Sequence, residues 1–233
     1  MAIFGVIKCD DNVFTGDKIR FDVSESFVTP DETLATPISH EISVDGGVSW
    51  YNITAKKMVD WIFTSAGNKT ITLRITAISG SQTFTKSVTV LDLTTAKLFS
   101  KDFDLYQHEP EIDQYLPKKW SSWNMIHKRA QDWIIDFLDE KGIFNENGAK
   151  YTVNDLHDLQ QVKQLSTYKT LEFIFEGNSN VVGDIFSTKA AKYKELSNTK
   201  ASRSQLSLDY NANGVNDDSQ ERTNLYTVVI KRR

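Results

Sequence analysis

Apolar and polar residues alternate with a period of two along most of the first part of the chain. Ile19, Phe21 and Val23 alternate with charged residues, and residues 70–77 alternate Thr or Arg with Ile, Leu and Ala. Such alternation places one face of a strand against a core and the other in water. Turn sequences such as Asp45-Gly46-Gly47 separate the runs. The pattern predicts about seven short antiparallel strands that form a β-sandwich.

Beyond residue 100, apolar residues recur at spacings of three and four, which indicates helices. The stripe from Ile126 to Leu138 predicts one helix. Ser121 or Ser122 could cap its start, and Gly142 could end it in the left-handed conformation.

A second helical stretch follows a potential cap at Thr152 or Asn154. Its apolar stripe slips near Ser166, so the pattern leaves open one bent helix or two helices as far as Phe175. A third stripe, from Ile185 to Leu196, predicts another helix with many lysines on its remaining face.

Strand patterns return at residues 206–208 and 225–230, with a polar loop between them. These runs predict a hairpin, or strands that add to another chain. The fold class is therefore α+β with two domains: a β-sandwich at residues 1–95 and a mainly helical domain at residues 96–233 that ends in a β-hairpin.

Composition narrows the function classes. The chain of 233 residues carries 27 basic and 31 acidic residues, a net charge of −4, so it has no net positive field for nucleic acid. A single cysteine, Cys9, excludes an internal disulfide and a cysteine-based metal site. No apolar run is long enough to span a membrane, and we expect no signal peptide because Met1 to Asp11 lacks that pattern.

Residues for catalysis are scattered. His40, His108, His127 and His157 lie in different predicted elements, and none has metal-ligand spacing. His127 is far in sequence from any acid that could orient it. Hydrolase, dinucleotide and nucleotide-binding glycine motifs are missing from the sequence. We therefore expect a protein that is not an enzyme.

One loop has the spacing of a calcium site. Its oxygen ligands would be Asp209, Asn211, Asn213, the Val215 carbonyl and Asp217. Gly214 allows the sharp turn, but Gln220 stands where a bidentate Glu is expected. The same residues also suit an Asn/Gly-rich turn without an ion, so both interpretations stay open.

Trp120, Trp123 and Trp133 occur close together in sequence, beside several basic residues. A basic aromatic patch can bind single-stranded nucleic acid. Tryptophan at helical spacing more often packs in a core or a subunit interface, and we favour packing or interface anchors here.

The N-terminal half resembles PKD-like or bacterial immunoglobulin-like domains. The resemblance lies in the run Trp61–Thr76 with its glycine at position 67, then Gly80 and the strand Thr83–Val90. It implies a sandwich fold of roughly this length and carries no function by itself.

The C-terminal half resembles the head-to-tail connector (adaptor) proteins of tailed bacteriophages. The resemblance rests on the order of four segments: Ala130–Leu138, Asp155–Leu159, Lys189–Leu196 and Ser207–Gly214. It implies a ring of copies, commonly twelve, in the virion neck. Such a ring sits under the portal protein beside a tail or second neck protein and passes genomic DNA without reading its sequence. The protein would be made in the bacterial host cytoplasm.

In such a ring we expect an inter-subunit strand and a basic C-terminal end. The strand would present Leu225, Tyr226, Val228 and Ile230, and the end consists of Lys231, Arg232 and Arg233. The basic end could meet an acidic portal surface or be a solvated tail. The alternative function is an Ig-like module that binds carbohydrate or protein, fused to a small helical domain.

Overall fold

The computed structural model describes residues 2–29 and 38–215, together with the backbone of residues 222–224. The chain forms two compact units. The first comprises Met1–Ala96 and Pro117–Ser122, and the second comprises Lys97–Leu116 and Trp123–Arg233. The segment Pro117–Ser122 thus belongs with the strands, although it follows them in sequence.

The first unit contains nine strands and a short helix within the described residues. They are β1 (Ile3–Phe4), β2 (Asn12–Phe14), β3 (Lys18–Asp22), β4 (Phe27–Val28), β5 (Ser39–Ser43), β6 (Tyr51–Asn52), β7 (Met58–Ile62), β8 (Gly67–Ala77), β9 (Gly80–Leu91) and α1 (Leu93–Ala96).

The strand order is that of an Ig-like sandwich. One sheet has the order β2-β9-β8-β5-β6, in which β2 runs parallel to β9 and the other pairs are antiparallel. β3 and β7 form a second antiparallel layer, and β1 pairs with β4. The run β9-β8-β5-β6 corresponds to strands G, F, C and C′ of the immunoglobulin fold. The predicted sandwich is confirmed.

The core follows from the sequence alternation. Ile19 and Phe21 of β3 and Ile71, Leu73 and Ile75 of β8 are almost completely buried. Their neighbours in sequence point outwards, and Arg74 pairs across the outer face with Glu41. Burying one side of each strand between the layers provides the main stabilisation of this unit.

The second unit is mainly helical. Its elements are α2 (Asp102–Tyr106), a 3₁₀ turn (Ile112–Tyr115), α3 (Asn124–Glu140), a second 3₁₀ turn (Val153–Asp155), α4 (Gln160–Asn178), α5 (Ile185–Arg203), β10 (Gln205–Ser207) and β11 (Arg222–Asn224).

Helix α4 is one continuous helix, and it begins later than the sequence predicts. The predicted cap Thr152 caps the 3₁₀ turn instead, through the amide of Asn154. The apolar stripe slips near Ser166 because α4 is buried on several sides, and its buried polar residues bond within the unit. Thr167 and Thr170 donate to the carbonyls of Lys163 and Ser166, each over 2.8 Å.

Helix α3 ends as predicted but begins differently. Gly142 has a left-handed φ of 70° directly after the helix, and Ile143 N donates to Leu138 O as in a Schellman motif. The predicted caps are wrong: Ser121 Oγ accepts from Lys18 N at the start of β3, and Ser122 Oγ donates to Asp17 in the turn before it. Trp123 stands at the N-cap position without a side-chain cap bond.

The final strand pair is antiparallel, with Gln205 opposite Asn224, so the chain ends in a strand pair as predicted. The pairing involves Arg222–Asn224, upstream of the predicted strand. The predicted interface residues Leu225 to Ile230 and the basic end Lys231–Arg233 lie outside the described residues. None of the helices in the described part of the chain is long and apolar enough to cross a bilayer.

Candidate functional site

A groove of about 650 Å³ lies at the edge of the sandwich where β6 leads into β7. Residues of β3, β6, β7 and the 53–57 turn line it: Arg20, Asn52, Ile53, Ala55, Lys56, Met58, Val59 and Asp60. The wall is therefore part apolar and part charged. This volume falls in the range of about 300–1,000 Å³ that is usual for small-molecule sites.

A paired arginine and aspartate form the charged wall. Arg20 and Asp60 are directly opposite each other on β3 and β7. Arg20 Nε and Nη2 donate to the two carboxylate oxygens of Asp60 over 2.6 and 2.9 Å. The hydrogen bond from Arg20 lowers the pKa of Asp60, and the same bond raises the pKa of Arg20. The bidentate geometry presents a planar polar surface of fixed orientation.

The 53–57 turn forms the opposite wall, and backbone hydrogen bonds hold it. Lys57 N donates to Ile53 O over 2.7 Å, and Lys57 O accepts from Val23 N over 2.8 Å. Lys57 has a φ of 52°, a left-handed conformation that is unfavourable for a non-glycine residue. Lys56 is exposed on this wall.

Two aromatic rings lie in contact, tilted by 58° to each other, at the same edge. Tyr51 of β6 and Trp61 of β7 have ring centroids 5.0 Å apart. Tyr51 is 42% exposed, whereas Trp61 is half-buried against the sandwich core. No sequence motif marks Tyr51, Trp61, Arg20 or Asp60 as site residues. The sequence does contain one signal for a site here, the 53–57 turn between two strands that carry aromatic residues. Only the fold brings Arg20 to this turn.

The predicted calcium loop folds as a compact turn. The carboxylate oxygens of Asp209 accept from the amides of Asn213 and Gly214 over 3.0 and 2.9 Å. Asn211 and Asn213 accept from amides two residues ahead. Ala212 and Gly214 are left-handed, with φ of 58° and 75°. Asp217 lies outside the described residues, so the ion remains a prediction. Elsewhere in the described chain, no cluster of three His, Cys, Asp or Glu residues suits a metal.

The three predicted tryptophan anchors do not form one cluster. Trp120 belongs to the first unit, where its Nε1 donates to Asp10 over 2.8 Å. Trp123 is 2% exposed in the second unit, and Trp133 stacks on Phe137 with a centroid distance of 5.3 Å. Each therefore packs within its own unit; their role as subunit interface anchors remains a prediction.

His127 has an acidic neighbour that its sequence context did not reveal. Its Nε2 lies 3.1 Å from Asp102 Oδ1, and its Nδ1 lies 2.8 Å from Ser100 Oγ. Ser100 also contacts Ser166 over 2.8 Å. The residue types are those of a nucleophilic triad, but Ser100 and His127 are at most 1% exposed. A substrate has no access to Ser100, so the network connects α2, α3 and α4 structurally.

No protein-family model matches the chain, and no curated protein does so. Several solved structures resemble part of it. One is described as belonging to carbohydrate-binding modules of the β-sandwich superfamily, with 17% identity over 40% of this chain and 36% of that one, and a TM-score of 0.33.

Two PKD domains also match. One is the PKD1 domain of Vibrio anguillarum Epp, with 20% identity over 39% of this chain and 94% of that one, and a TM-score of 0.29. The other is the PKD domain of the human receptor SorCS2, with 15% identity over 40% of this chain and 75% of that one, and a TM-score of 0.30. These scores are low, so the Ig-like fold of the sandwich rests on its own strand order.

Proposed function

We propose that this protein is a non-enzymatic binding protein whose Ig-like sandwich takes a saccharide in the groove between the Arg20–Asp60 pair and the 53–57 turn. The observation that carries the proposal is the joining of a fixed bidentate ion pair to an apolar wall in one groove. Sugars present hydroxyl groups at their edges and C–H groups on their faces, so they match both surfaces.

The groove has the chemistry of binding without cleavage. Asp60 is the sole carboxylate among the lining residues, and Arg20 engages both of its oxygens. Glycoside hydrolysis ordinarily requires two carboxylates on either side of the scissile bond. In the same unit, burial raises the pKa of the Cys9 thiol, which disfavours a thiolate nucleophile.

A glycan array followed by calorimetry on the best hits tests the proposal. We expect Arg20→Gln to weaken binding at least tenfold, because the ligand loses the guanidinium N–H groups that Asp60 does not engage, and the Asp60 carboxylate loses the bidentate bond that orients it. The matched control is Arg74→Gln, which breaks a similarly exposed pair with Glu41 on the outer face of the sheet and should leave binding unchanged. If no glycan binds, or if both variants weaken binding equally, the proposal fails.

A second candidate is the ring-forming connector at the head-to-tail junction of a tailed phage, docked on the portal and located in the virion neck. The comparisons lend it no support. The observation that favours it is the aliphatic turn between α4 and α5, where Val181, Val182 and Ile185 are 68%, 99% and 67% exposed. Asp184 holds this turn rigid by accepting from the amides of Asn180 and Ser187. Exposed aliphatic groups on an ordered turn suit contact between copies.

Electron microscopy and sedimentation of the full chain, alone and with a portal, test this candidate. Rings that Val182→Asp dissolves would support it. The control Val48→Asp introduces the same charge at an 83% exposed valine of the sandwich and should leave rings intact. A protein that stays monomeric at every concentration and does not bind the portal would contradict the connector function.

A further inference from the structure

The side chain of His40 in β5 is a buried imidazole. The residue is 2% exposed, and among the described residues neither ring nitrogen has a hydrogen-bond partner. Its neighbours on the same face include Ile42, and Ile75 lies opposite on β8; both are fully buried. A neutral imidazole tolerates such surroundings, whereas an imidazolium does not, because nothing replaces its hydration.

The groove wall is attached directly to this residue. Ile53 N donates to His40 O over 2.9 Å, and His40 N donates to Thr54 Oγ1 over 2.9 Å. These bonds join β5 to the 53–57 turn. The turn also holds Lys57 in its unfavourable left-handed conformation. Both bonds use the backbone of His40, so a shift of the β5 backbone that carries the ring out of the core breaks them and disturbs the wall of the groove.

The charges around His40 oppose its protonation. Burial lowers the pKa of His40, and the positive charge of Lys57 lowers it further. Glu41, the adjacent acid on β5, faces the other side of the sheet and pairs with Arg74 of β8. The imidazolium thus meets a cation from the turn and apolar residues from β5 and β8. We call the arrangement with the His40 ring buried the closed state. Since the pKa of His40 is depressed in the closed state, the stability of this state relative to one with the ring in water is greatest above the ordinary imidazole pKa and is lost as the pH falls below it.

We propose that His40 makes the groove acid-sensitive: on protonation the ring leaves the core, the 53–57 turn detaches from β5, and the groove opens and releases its ligand. The release step rests on the proposed saccharide function, whereas the opening of the turn does not. In the neutral range the groove is closed and competent to bind. Below the ordinary imidazole range the opened form gains population because it alone accepts the proton without penalty.

Hydrogen exchange of the unliganded full chain at pH 7.5 and pH 5.0, corrected for intrinsic exchange rates, tests the opening. The reporters are the amides of Ile53, Lys57 and Val23, whose bonds the turn maintains. We expect their opening equilibrium to rise by up to about 30-fold at pH 5.0, the limit set by an ordinary imidazole pKa of about 6.5 in the opened state. The amides of Thr15 and Thr89, bonded at the β2 edge, should change far less.

His40→Leu should abolish the response, and His108→Leu in the helical unit is the matched control that should retain it. Should His40→Leu not fold, Lys57→Gln provides the second test: with the repelling cation removed, the closed state accepts the proton more easily and the response shrinks. Equal protection at both pH values in the natural chain would overturn the proposal, as would an undiminished response in His40→Leu. Calorimetry at both pH values, with the best glycan from the array, then distinguishes the acid-sensitive turn from the saccharide function. If the turn opens at pH 5.0 but no glycan binds, the acid-sensitive turn is supported and the saccharide function is rejected. If a glycan binds equally at both pH values and the turn does not open, the saccharide function is supported and the acid-sensitive turn is rejected.

Discussion

Trp120 and Asp10 are joined by a 2.8 Å hydrogen bond from the indole Nε1 to the carboxylate, across 110 positions of the chain. Lys119 donates to the other oxygen of Asp10 over 2.7 Å. Ser122 adds a bond to Asp17. The segment Pro117–Ser122 is therefore held to the strands by side chains that no local pattern connects.

We predict that Asp10→Ala destabilises the first unit by about 1–2 kcal/mol, because it removes a charge-assisted bond and an ion pair that are partly exposed. Urea denaturation measures this, and trypsin should cut faster after Lys118 and Lys119. Asp11→Ala is the matched control: its pair with Lys86 is more exposed, so its loss should cost less than about 1 kcal/mol. Equal losses of stability at the two positions would contradict a specific contribution from the bonds of Asp10 to Lys119 and Trp120.

Asp102 supports the buried His127 network. We predict that Asp102→Ala destabilises the helical unit by about 2 kcal/mol, because the buried Nε2 of His127 loses its acceptor. Asp132→Ala removes only an exposed pair with Lys128 within α3 and should cost about 0.3–0.5 kcal/mol. Urea denaturation followed by circular dichroism at a helix-sensitive wavelength distinguishes the two, and similar losses would argue against the network.

Lys169 and Glu172 form a buried ion pair on α4, with an Nζ–Oε1 distance of 2.8 Å and side chains 8% and 3% exposed. The Lys169 ammonium also lies 4.1 Å from the ring centroid of Trp133. We predict that Glu172→Leu costs about 3–5 kcal/mol because it leaves a buried ammonium uncompensated.

The double variant Lys169→Met with Glu172→Leu should recover most of that loss, since neither charge then remains. Denaturation midpoints for the two single variants and the double variant complete the cycle. A double variant as unstable as the sum of the single ones would contradict a coupled pair.

The Asp209 turn satisfies its own amides, so we predict that it forms without an ion. Millimolar calcium should then leave the melting temperature unchanged, while Asp209→Ala lowers it by removing the acceptor for two amides. A calcium-dependent rise in melting temperature that Asp209→Asn diminishes would instead establish the calcium loop.

Much of the fold follows from the sequence alone, because strand alternation and helical stripes are local signals of burial. They correctly predicted the sandwich core around Ile71 and Leu73, helix α3 and its end at Gly142. The start and continuity of α4 could not be predicted from an apolar stripe. A helix buried on several sides has no single apolar face, and the polar residues Ser166 and Thr170 are satisfied by bonds that the sequence does not display.

The sequence by itself determined the two kinds of secondary structure, their order and which strand faces are apolar, since each depends on residues a few positions apart. Only the tertiary structure decided that Arg20 meets Asp60 beside the 53–57 turn, that Asp102 meets His127, and that the buried His40 ring has no polar partner in the part of the chain that the structure describes. These relationships depend on strand register and helix packing, which bring together side chains that are remote in the chain.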